Sequence, residues 1–319
     1  MNPTLIRRFS AIVCLALALF CLPLTAAALD GVTVVLSEEG GAYAQVADKL
    51  RDTLAQSAAR PPVKLVTLRT LKDSDSLRAD PGQLLVAVGT GAMQALAQQN
   101  QPAPILNVLV PRAAFEKATR QNRRLGDPHR FSAIYLDQPW ARQFALIRHT
   151  LPNRTRVGVL LGPDSAELAP ALRAAAKAAG LVATIEKIDE ESDLLPALKR
   201  LLGDSEALLA IPDPLIYNRS TVQSILLTTY RQQVPLFGFS PSYVKAGALA
   251  AVYSVPEQIG QQAAEIIQRF AADRHLPPPQ PPRYFSVGTN AQVARSLGFV
   301  LDDEAILAGK LKRITEDEP

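Results

Sequence analysis

The sequence predicts an α/β fold of two Rossmann-like lobes, each with a parallel sheet, joined by a hinge that several chain segments cross. Three observations predict it. Short β-branched runs alternate with longer helical stretches along the 319 residues, a pattern typical of parallel sheets. The alternation fills two successive blocks of about 110 residues, each within the usual size of a domain. A smaller group of predicted strands and helices follows, and the simplest interpretation is that it completes both sheets.

The N-terminal segment predicts export. Two arginines precede an apolar run at 11–24, and Ala26 and Ala28 stand at the minus-three and minus-one positions of a signal-peptidase site. We therefore expect residues 1–28 to be a cleavable signal peptide, cut near Ala28, and the mature protein to be periplasmic.

Both cysteines, Cys14 and Cys21, lie within this segment. A lipid anchor on Cys21 is the alternative, but Phe20 occupies the preceding position, where a lipid attachment site needs a small residue. Without cysteine, the mature chain has no disulfides, so its stability must come from core burial.

The first block contains four expected strands and two expected helices. The helix at 42–58 carries its apolar side chains on one face, and Gly89-Thr90-Gly91 turns into the second helix. We expect strands at 32–36, 63–68, 84–88 and 105–110, and helices at 42–58 and 92–99.

The second block repeats this order, and the tail follows it. Pro139 suits the first turn of a helix, and Gly180 ends the alanine-rich helix before it. In the block we expect strands at 134–136, 156–161, 182–188, 207–211 and 235–238, and helices at 140–150, 166–179, 194–202 and 221–232. In the tail we expect strands at 249–254 and 284–287, helices at 256–272 and 291–297, and a stiff proline-rich spacer at 277–282.

The order of these strands and helices predicts which residues form each lobe. The first lobe is expected to comprise 29–132 plus about 250–283, and the second 133–249 plus about 284–319. Repeated crossing at one place makes a hinge, and the cleft between two lobes is where ligands bind.

Composition and motifs disfavour several other classes of protein. The 34 Lys and Arg against 30 Asp and Glu give a net charge of only +4, with no concentrated basic face for nucleic acid. His129, His149 and His275 are too widely spaced for a metal motif. The segment 238–242 lacks the final glycine of a nucleophile elbow. We therefore expect a binding protein rather than an enzyme, with no cofactor and no nucleic-acid partner.

Several segments together resemble a known family, the ABC transporter substrate-binding proteins that include tryptophan- and phenylalanine-binding lipoproteins. The segments that carry the resemblance are 151–162, 210–214, 235–238, 243–249 and 256–264. The resemblance covers nearly all of the mature chain and implies a type I periplasmic-binding fold with three crossovers. This chain departs from the family where Asp213 is followed by Pro214, because relatives commonly have Asp-Asn there.

Candidate ligand contacts lie where expected strands end, because open α/β sheets bind ligands beyond the carboxyl ends of their strands. They are Ser37, Glu38, Gly41, Thr90, Gly91, Asp213, Tyr217, Asn218, Phe239 and Ser240.

Several of these candidates also have a structural interpretation. Thr90 and Gly91 would offer free N–H groups to an anion, or merely begin a helix. The resemblance implies that Asp213 contacts the ligand, where it would accept an ammonium; the alternative is capping the turn at Pro214. Tyr217 would stack on a ligand or lie in a surface turn, and Phe239 would line the cleft or fill the core.

The expected function is capture of a small molecule, with an amino acid as one option, and its delivery to an inner-membrane ABC permease. The alternative is a ligand-sensing module that docks onto a membrane signalling receptor, since the same fold serves both. Either role fits a monomer that closes around its ligand.

Overall fold

The computed structural model describes residues 29–58, 60–73, 79–99 and 101–316, so the predicted signal peptide lies outside the described residues. The strands are β1 (Gly31–Leu36), β2 (Val63–Thr67), β3 (Gln83–Val88), β4 (Ile105–Val110), β5 (Phe131–Tyr135), β6 (Arg156–Leu161), β7 (Val182–Lys187), β8 (Ala207–Leu209), β9 (Leu236–Gly238), β10 (Ala250–Tyr253) and β11 (Ser286–Thr289). The helices are α1 (Gly41–Ala55), α2 (Leu68–Asp73), α3 (Thr90–Gln98), α4 (Arg112–Gln121), α5 (Trp140–Thr150), α6 (Ala169–Ala178), α7 (Leu194–Gly203), α8 (Val222–Arg231), α9 (Pro241–Ala246), α10 (Pro256–Asp273), α11 (Ala291–Ser296) and α12 (Glu304–Glu316).

The strands form two sheets, which confirms the predicted α/β class. The first sheet has the order β2-β1-β3-β4-β5 and is parallel throughout. The second has the order β11-β10-β9-β8-β6-β7 and is parallel except for β11. Buried apolar clusters lie on both faces of each sheet, so the central strands are apolar on both sides, as in doubly covered parallel sheets.

Two strands lie in a different sheet from the one expected. β10, expected in the first lobe, pairs with β9 and β11 of the second sheet, with Ala250 opposite Phe237. β5, expected to begin the second lobe, closes the first sheet beside β4. An apolar run shows that a strand exists but not which strand it pairs with, because pairing depends on contacts distant in sequence. We therefore propose lobe boundaries after β5 and after β10.

The proline-rich spacer runs along the open edge of the first sheet. Gln280 donates its N–H to Ala133 O (2.9 Å) and accepts a hydrogen bond from Tyr135 N (2.9 Å), both in β5. The prolines of 277–282 have no N–H of their own to offer another strand. The spacer therefore covers an edge strand that would otherwise be open to pairing.

Three crossings connect the sheets, and side chains tie them together. Ser254 Oγ accepts a hydrogen bond from Gln138 Nε2 (2.8 Å) and donates to Tyr284 O (2.6 Å), so it joins all three. Buried Arg142 donates through Nη1 to Gln138 Oε1 (2.6 Å) and Pro282 O (3.0 Å). We call these five residues the hinge cluster.

Among the helices of the described residues, none combines the length and hydrophobicity that crossing a membrane requires.

Candidate functional site

All three crossings leave the sheets at their carboxyl edges. β5 ends at Tyr135 and leads to α5, and β10 ends at Tyr253 and leads to α10. The third crossing runs from Gln280, which bridges Ile134 in β5, to β11, whose first residue Ser286 pairs with Tyr253. The carboxyl edges of both sheets therefore flank the hinge, where an interlobe site is expected.

Ser37 connects two loops at the carboxyl edge of the first sheet. It follows β1, and its Oγ accepts a hydrogen bond from Ala92 N (2.8 Å) in the first turn of α3. This contact caps a helix whose own N-cap residue, Gly89, has no side chain. Gly89 has φ 92°, and a Cβ there would lie 2.5 Å from Tyr43 Cε1 and 2.6 Å from Ser37 Oγ. The turn is therefore packed closely against both side chains.

Thr90 and Gly91 open α3 beside Ser37, so the structure brings these three predicted residues together. Both are half-buried, and a Cβ at Gly91 would lie 3.3 Å from Ser37 Oγ. One of the first-turn N–H groups is already bonded to Ser37. An anion at this helix terminus would share the remaining first-turn donors.

Glu38 lies on the exposed loop that follows Ser37, and Gly41 is the exposed first residue of α1. Gly41 has φ 54°, and no atom lies within 4 Å of a Cβ built there. The left-handed backbone, rather than a close approach within the chain, accounts for glycine at this position. Both residues are at the expected edge but face solvent.

The Asp213 carboxylate is buried beyond β8, at the carboxyl edge of the second sheet, with 3% exposure. Its Oδ2 accepts hydrogen bonds from Ser165 N (3.1 Å) and Ser165 Oγ (2.7 Å), and its Oδ1 accepts one from Leu215 N (3.0 Å). Gly162 makes room for it, because a Cβ there would lie 2.5 Å from Asp213 Oδ1. Asp213 thus holds the loop after β6 against the loop after β8, using three of about four acceptor positions.

Three aromatic rings pack together at this edge, and we call Tyr217, Phe239 and Tyr243 the aromatic cluster. The Phe239 and Tyr243 centroids are 4.5 Å apart, and Tyr217 is 6.1 Å from each. Tyr217 is buried, whereas Phe239 and Tyr243 are half-buried. Of the two predicted aromatic residues, Phe239 is therefore the one that a ligand could touch without rearrangement.

The tyrosines of the cluster are neutral at physiological pH. Burial raises the pKa of Tyr217 well above its ordinary value, and the nearby Tyr243 and Asp213 raise it further. Burial also raises the pKa of Tyr243 to about 12. Among the described residues, no group forms a hydrogen bond with the buried Tyr217 hydroxyl, so a donor and an acceptor are left unused.

Asn218 and Ser240 have local roles. Asn218 Oδ1 accepts hydrogen bonds from Ser220 N (2.9 Å) and Thr221 N (3.2 Å), and its Nδ2 donates to Pro214 O (2.9 Å). Its amide therefore builds the loop before α8. Ser240 precedes α9, is half-buried and makes no capping hydrogen bond through its side chain. The Ser240 hydroxyl is therefore more available to a ligand than the Asn218 amide.

A polar pair at the carboxyl edge of the first sheet was not predicted. The backbone N–H of Arg112 donates to Asp137 Oδ2 (2.6 Å). The Arg112 guanidinium lies 5.8 Å from the Tyr135 ring centroid. Burial raises the pKa of Asp137, and the hydrogen bond from Arg112 opposes that rise. The sequence signal for this helix start is Pro111, directly after a strand.

Residues 56–272, more than half of the chain, match the family described as ABC transporter substrate binding protein. The chain belongs to this family. Its proteins are normally periplasmic or extracellular, and membership indicates a solute-binding role. The resemblance found in the sequence is thereby confirmed. A search of curated proteins gives no significant match.

Solved structures share the fold. A Streptococcus pneumoniae ABC domain in complex with L-Trp is 17% identical, with 86% of this chain and 97% of that chain covered and a TM-score of 0.57. A ligand-free, open substrate-binding protein with adhesive properties from Clostridium difficile is 16% identical, with 86% and 96% covered and a TM-score of 0.67. A conserved domain protein from Vibrio cholerae is 20% identical, with 88% and 98% covered and a TM-score of 0.57. The two-lobed type I periplasmic-binding fold is thus confirmed.

Proposed function

We propose that this protein is exported to the periplasm, captures an amino acid with an apolar or aromatic side chain between its lobes, and delivers it to an inner-membrane ABC permease. It binds and releases this solute without changing it chemically. The family supports the permease as partner. The aromatic cluster supports the class of ligand.

The observation that carries the proposal is the position of the aromatic cluster. Its half-buried rings, Phe239 and Tyr243, lie at the carboxyl edge of the second sheet, across the hinge from Ser37 and the first turn of α3. A flat apolar side chain would stack on these rings, a contact that adds about 0.5–1.5 kcal/mol beyond the burial of area. The ligand carboxylate would meet the N–H groups at Thr90 and Gly91.

Asp213 is the candidate acceptor for the ligand ammonium. Three hydrogen bonds hold its carboxylate in place, and about one acceptor position is left. Because Asp213 is buried, little water would screen its interaction with an ammonium, and closure of the lobes would exclude more water and strengthen the interaction. Contact with both lobes favours the closed state, as a hinged binding protein requires.

A thermal-shift screen followed by calorimetry tests the proposal. The panel contains L-tryptophan, L-phenylalanine, L-tyrosine, L-alanine and ribose. A true ligand at a hundredfold excess over its Kd adds about 2.7 kcal/mol of stability. We expect one aromatic amino acid to raise the melting temperature, and L-alanine and ribose to leave it unchanged.

Two variants locate the site. Phe239→Leu keeps an apolar side chain but removes a ring, and we expect ligand affinity to fall about tenfold. Phe299→Leu is the matched control, because Phe299 packs against the core of the second lobe. Asp213→Asn removes the charge and is expected to weaken binding by about tenfold or more. If no amino acid shifts the melting temperature, the ligand class is wrong; if Asp213→Asn changes stability alone, Asp213 is only a cap.

A further inference from the structure

The third crossing is bound to one face of α10. Gln262 Oε1 accepts a hydrogen bond from Arg283 N (2.7 Å), and Glu265 Oε1 accepts one from the Tyr284 hydroxyl (2.7 Å). Glu265 also forms an ion pair with Arg283 through Oε2. Residues three apart lie on the same face of a helix, so Gln262 and Glu265 hold the crossing together. We call these two residues the α10 clamp.

The α10 clamp is anchored in the first lobe. The apolar face of α10 packs into a core of the first sheet. Gln261 Nε2 donates to Glu265 Oε1 (2.9 Å), and Gln261 Oε1 accepts a hydrogen bond from Thr53 Oγ1 (3.2 Å) of α1. A series of side-chain hydrogen bonds therefore runs from α1 to Tyr284, and it holds the third crossing to the first lobe as far as that residue.

The next residue of the chain belongs to the second lobe. Phe285 is 5% exposed and packs in a core of the second sheet. Ser286 then begins β11 and pairs with Tyr253 of β10. The third crossing therefore changes from one lobe to the other across the single link between Tyr284 and Phe285.

The first crossing changes lobes over an equally short distance. Asp137 Oδ2 accepts a hydrogen bond from the backbone N–H of Arg112 (2.6 Å) in the first lobe. The carbonyl of Gln138, the next residue, accepts one from Gln143 Nε2 (3.2 Å) of α5, and α5 packs in the second lobe. The change of lobe falls between Asp137 and Gln138.

On the second crossing, Ser254 alone separates the lobes. Tyr253 is the last residue of β10 in the second sheet, whereas Val255 N donates to Gln258 Oε1 (3.0 Å) of α10. The three crossings thus change lobes at the same place, because Ser254 Oγ bonds to the first and third crossings exactly where each of them changes lobe. An axis through this place lets the lobes rotate with the least displacement of the backbone.

Two side chains bond across the change of lobe, one from each side. Arg142 Nη1 of α5 donates to Pro282 O (3.0 Å), and Gln258 Nε2 of α10 donates to Ser286 Oγ (3.0 Å). Both acceptors lie close in the chain to the link Tyr284–Phe285, where a rotation moves atoms least. These bonds therefore tie the lobes together without moving the pivot elsewhere.

We propose that the lobes rotate about three short pivots, at Asp137–Gln138, Ser254 and Tyr284–Phe285, and that the α10 clamp keeps the third pivot short. With the clamp intact, one link of the third crossing is free to turn. Without it, residues 281–284 join the pivot, and the lobes sample a wider range of angles. The inference rests on the proposed function in one respect: a ligand that bridges the lobes binds only part of that range.

Distances between spin labels on the two lobes test the proposal without any ligand. Asp52→Cys on α1 and Lys199→Cys on α7 place one label on an exposed position of each lobe. Cys14→Ser and Cys21→Ser remove the only native cysteines. In this background we expect Glu265→Ala to broaden the distribution of interlobe distances about twofold.

Hydrogen exchange of the same protein shows whether the clamp has opened. We expect the amides of residues 283–286 to exchange about tenfold faster in Glu265→Ala. Tyr284→Phe removes only the hydroxyl that donates to Glu265, so it should produce smaller changes of the same kind. Glu257→Ala is the matched control and should change neither measurement, because Glu257 is an exposed carboxylate of the same helix that is not part of the clamp.

Three results would overturn the proposal. The first is an unchanged distance distribution in Glu265→Ala despite faster exchange, because the clamp would then order only its own segment. The second is no change in either measurement, and the third is equal broadening in Glu257→Ala. If Glu265→Ala does not fold, Tyr284→Phe decides alone, and a distribution identical to that of wild type overturns the proposal. A wrong ligand class would leave all these measurements unaffected.

Discussion

At the scale of single residues, the candidate site combines a carboxylate that accepts three hydrogen bonds with a buried hydroxyl that has no hydrogen-bond partner among the described residues. Asp213 is fixed by Ser165 and Leu215, so its position depends on two loops. Tyr217, in contrast, buries its hydroxyl without a hydrogen-bond partner among the described residues. An unsatisfied buried group costs about 1–3 kcal/mol, and such costs are typical of functional sites rather than of ordinary cores.

Tyr217→Phe removes this cost. We expect the free energy of unfolding to rise by about 1 kcal/mol, because the ring packing stays and the unsatisfied hydroxyl goes. If the hydroxyl serves the ligand, affinity for that ligand falls in the same variant. Urea denaturation and calorimetry measure the two effects. Tyr243→Phe is the control, because its half-buried hydroxyl can reach water; equal gains in both variants would contradict the prediction.

Glu206 makes stability depend on pH. Its Oε2 accepts hydrogen bonds from Thr155 N (2.9 Å) and Arg156 N (3.0 Å), and these bonds hold its pKa below the ordinary value. A lowered folded-state pKa means that the stabilisation is complete above the unfolded-state pKa of about 4.3 and is lost as pH falls through the folded-state value.

Glu206→Gln tests this dependence. We expect it to lower the free energy of unfolding by about 1 kcal/mol at neutral pH and by less at an acidic pH, because the stabilisation is lost as pH falls through the lowered folded-state pKa of Glu206. Urea denaturation at the two pH values measures the difference. Exposed Glu167→Gln should change neither value. If the difference in unfolding free energy between wild type and Glu206→Gln stayed constant across pH, the charge of Glu206 would not be its cause.

At the scale of elements, one glycine sets the distance between α1 and α10. A Cβ at Gly260 of α10 would lie 2.6 Å from Val46 O and 3.0 Å from Lys49 Cβ of α1. We expect Gly260→Ala to lower the free energy of unfolding by about 1–3 kcal/mol, despite the better helix propensity of alanine. Thermal denaturation measures it.

Gly309→Ala supplies the control of opposite sign. Gly309 lies in α12, and nothing lies within 4 Å of a Cβ built there. Alanine should therefore stabilise the helix by up to about 1 kcal/mol. If Gly260→Ala also stabilises the protein, α1 and α10 can move apart at little cost and the close packing is not required.

Strands and helices could be predicted where the local sequence pattern decides them. The sheet to which a strand belongs could not be predicted in this way. The apolar runs of β1, β3 and β6 mark their strands within a residue or two, because burial on both faces leaves an unbroken apolar sequence. The run of β10 is just as clear, yet its pairing with β9 depends on how the chain crosses the hinge. Likewise, Tyr243 belongs to the aromatic cluster because α9 turns it back toward Tyr217, which no spacing rule specifies.

At the scale of the whole molecule, the hinge is more than three connecting segments. Ser254 Oγ contacts Gln138 on the first crossing and Tyr284 on the third while itself lying on the second. Arg142 adds a guanidinium 4.1 Å from the Phe285 ring centroid. These contacts link the three crossings to one another, so we expect the lobes to rotate about the hinge rather than slide independently.

Ser254→Ala removes the atom that all three crossings share. The Gln138 amide and the Tyr284 carbonyl lose a partner, and we expect the free energy of unfolding to fall by about 1–3 kcal/mol. Trp140, the only tryptophan, begins α5 directly after the first crossing, so its fluorescence reports on this region during urea denaturation.

The number of steps in that unfolding transition shows whether the two lobes unfold together. Arg142 still joins the first crossing to Pro282 on the third, so a single transition should persist in Ser254→Ala. Exposed Ser224→Ala on α8 should leave the midpoint unchanged. An unchanged midpoint in Ser254→Ala would mean that water replaces the hydroxyl at no cost and that other contacts, such as those of Arg142, suffice to tie the crossings together. Two separate transitions would mean that Ser254 is what couples the stability of one lobe to that of the other.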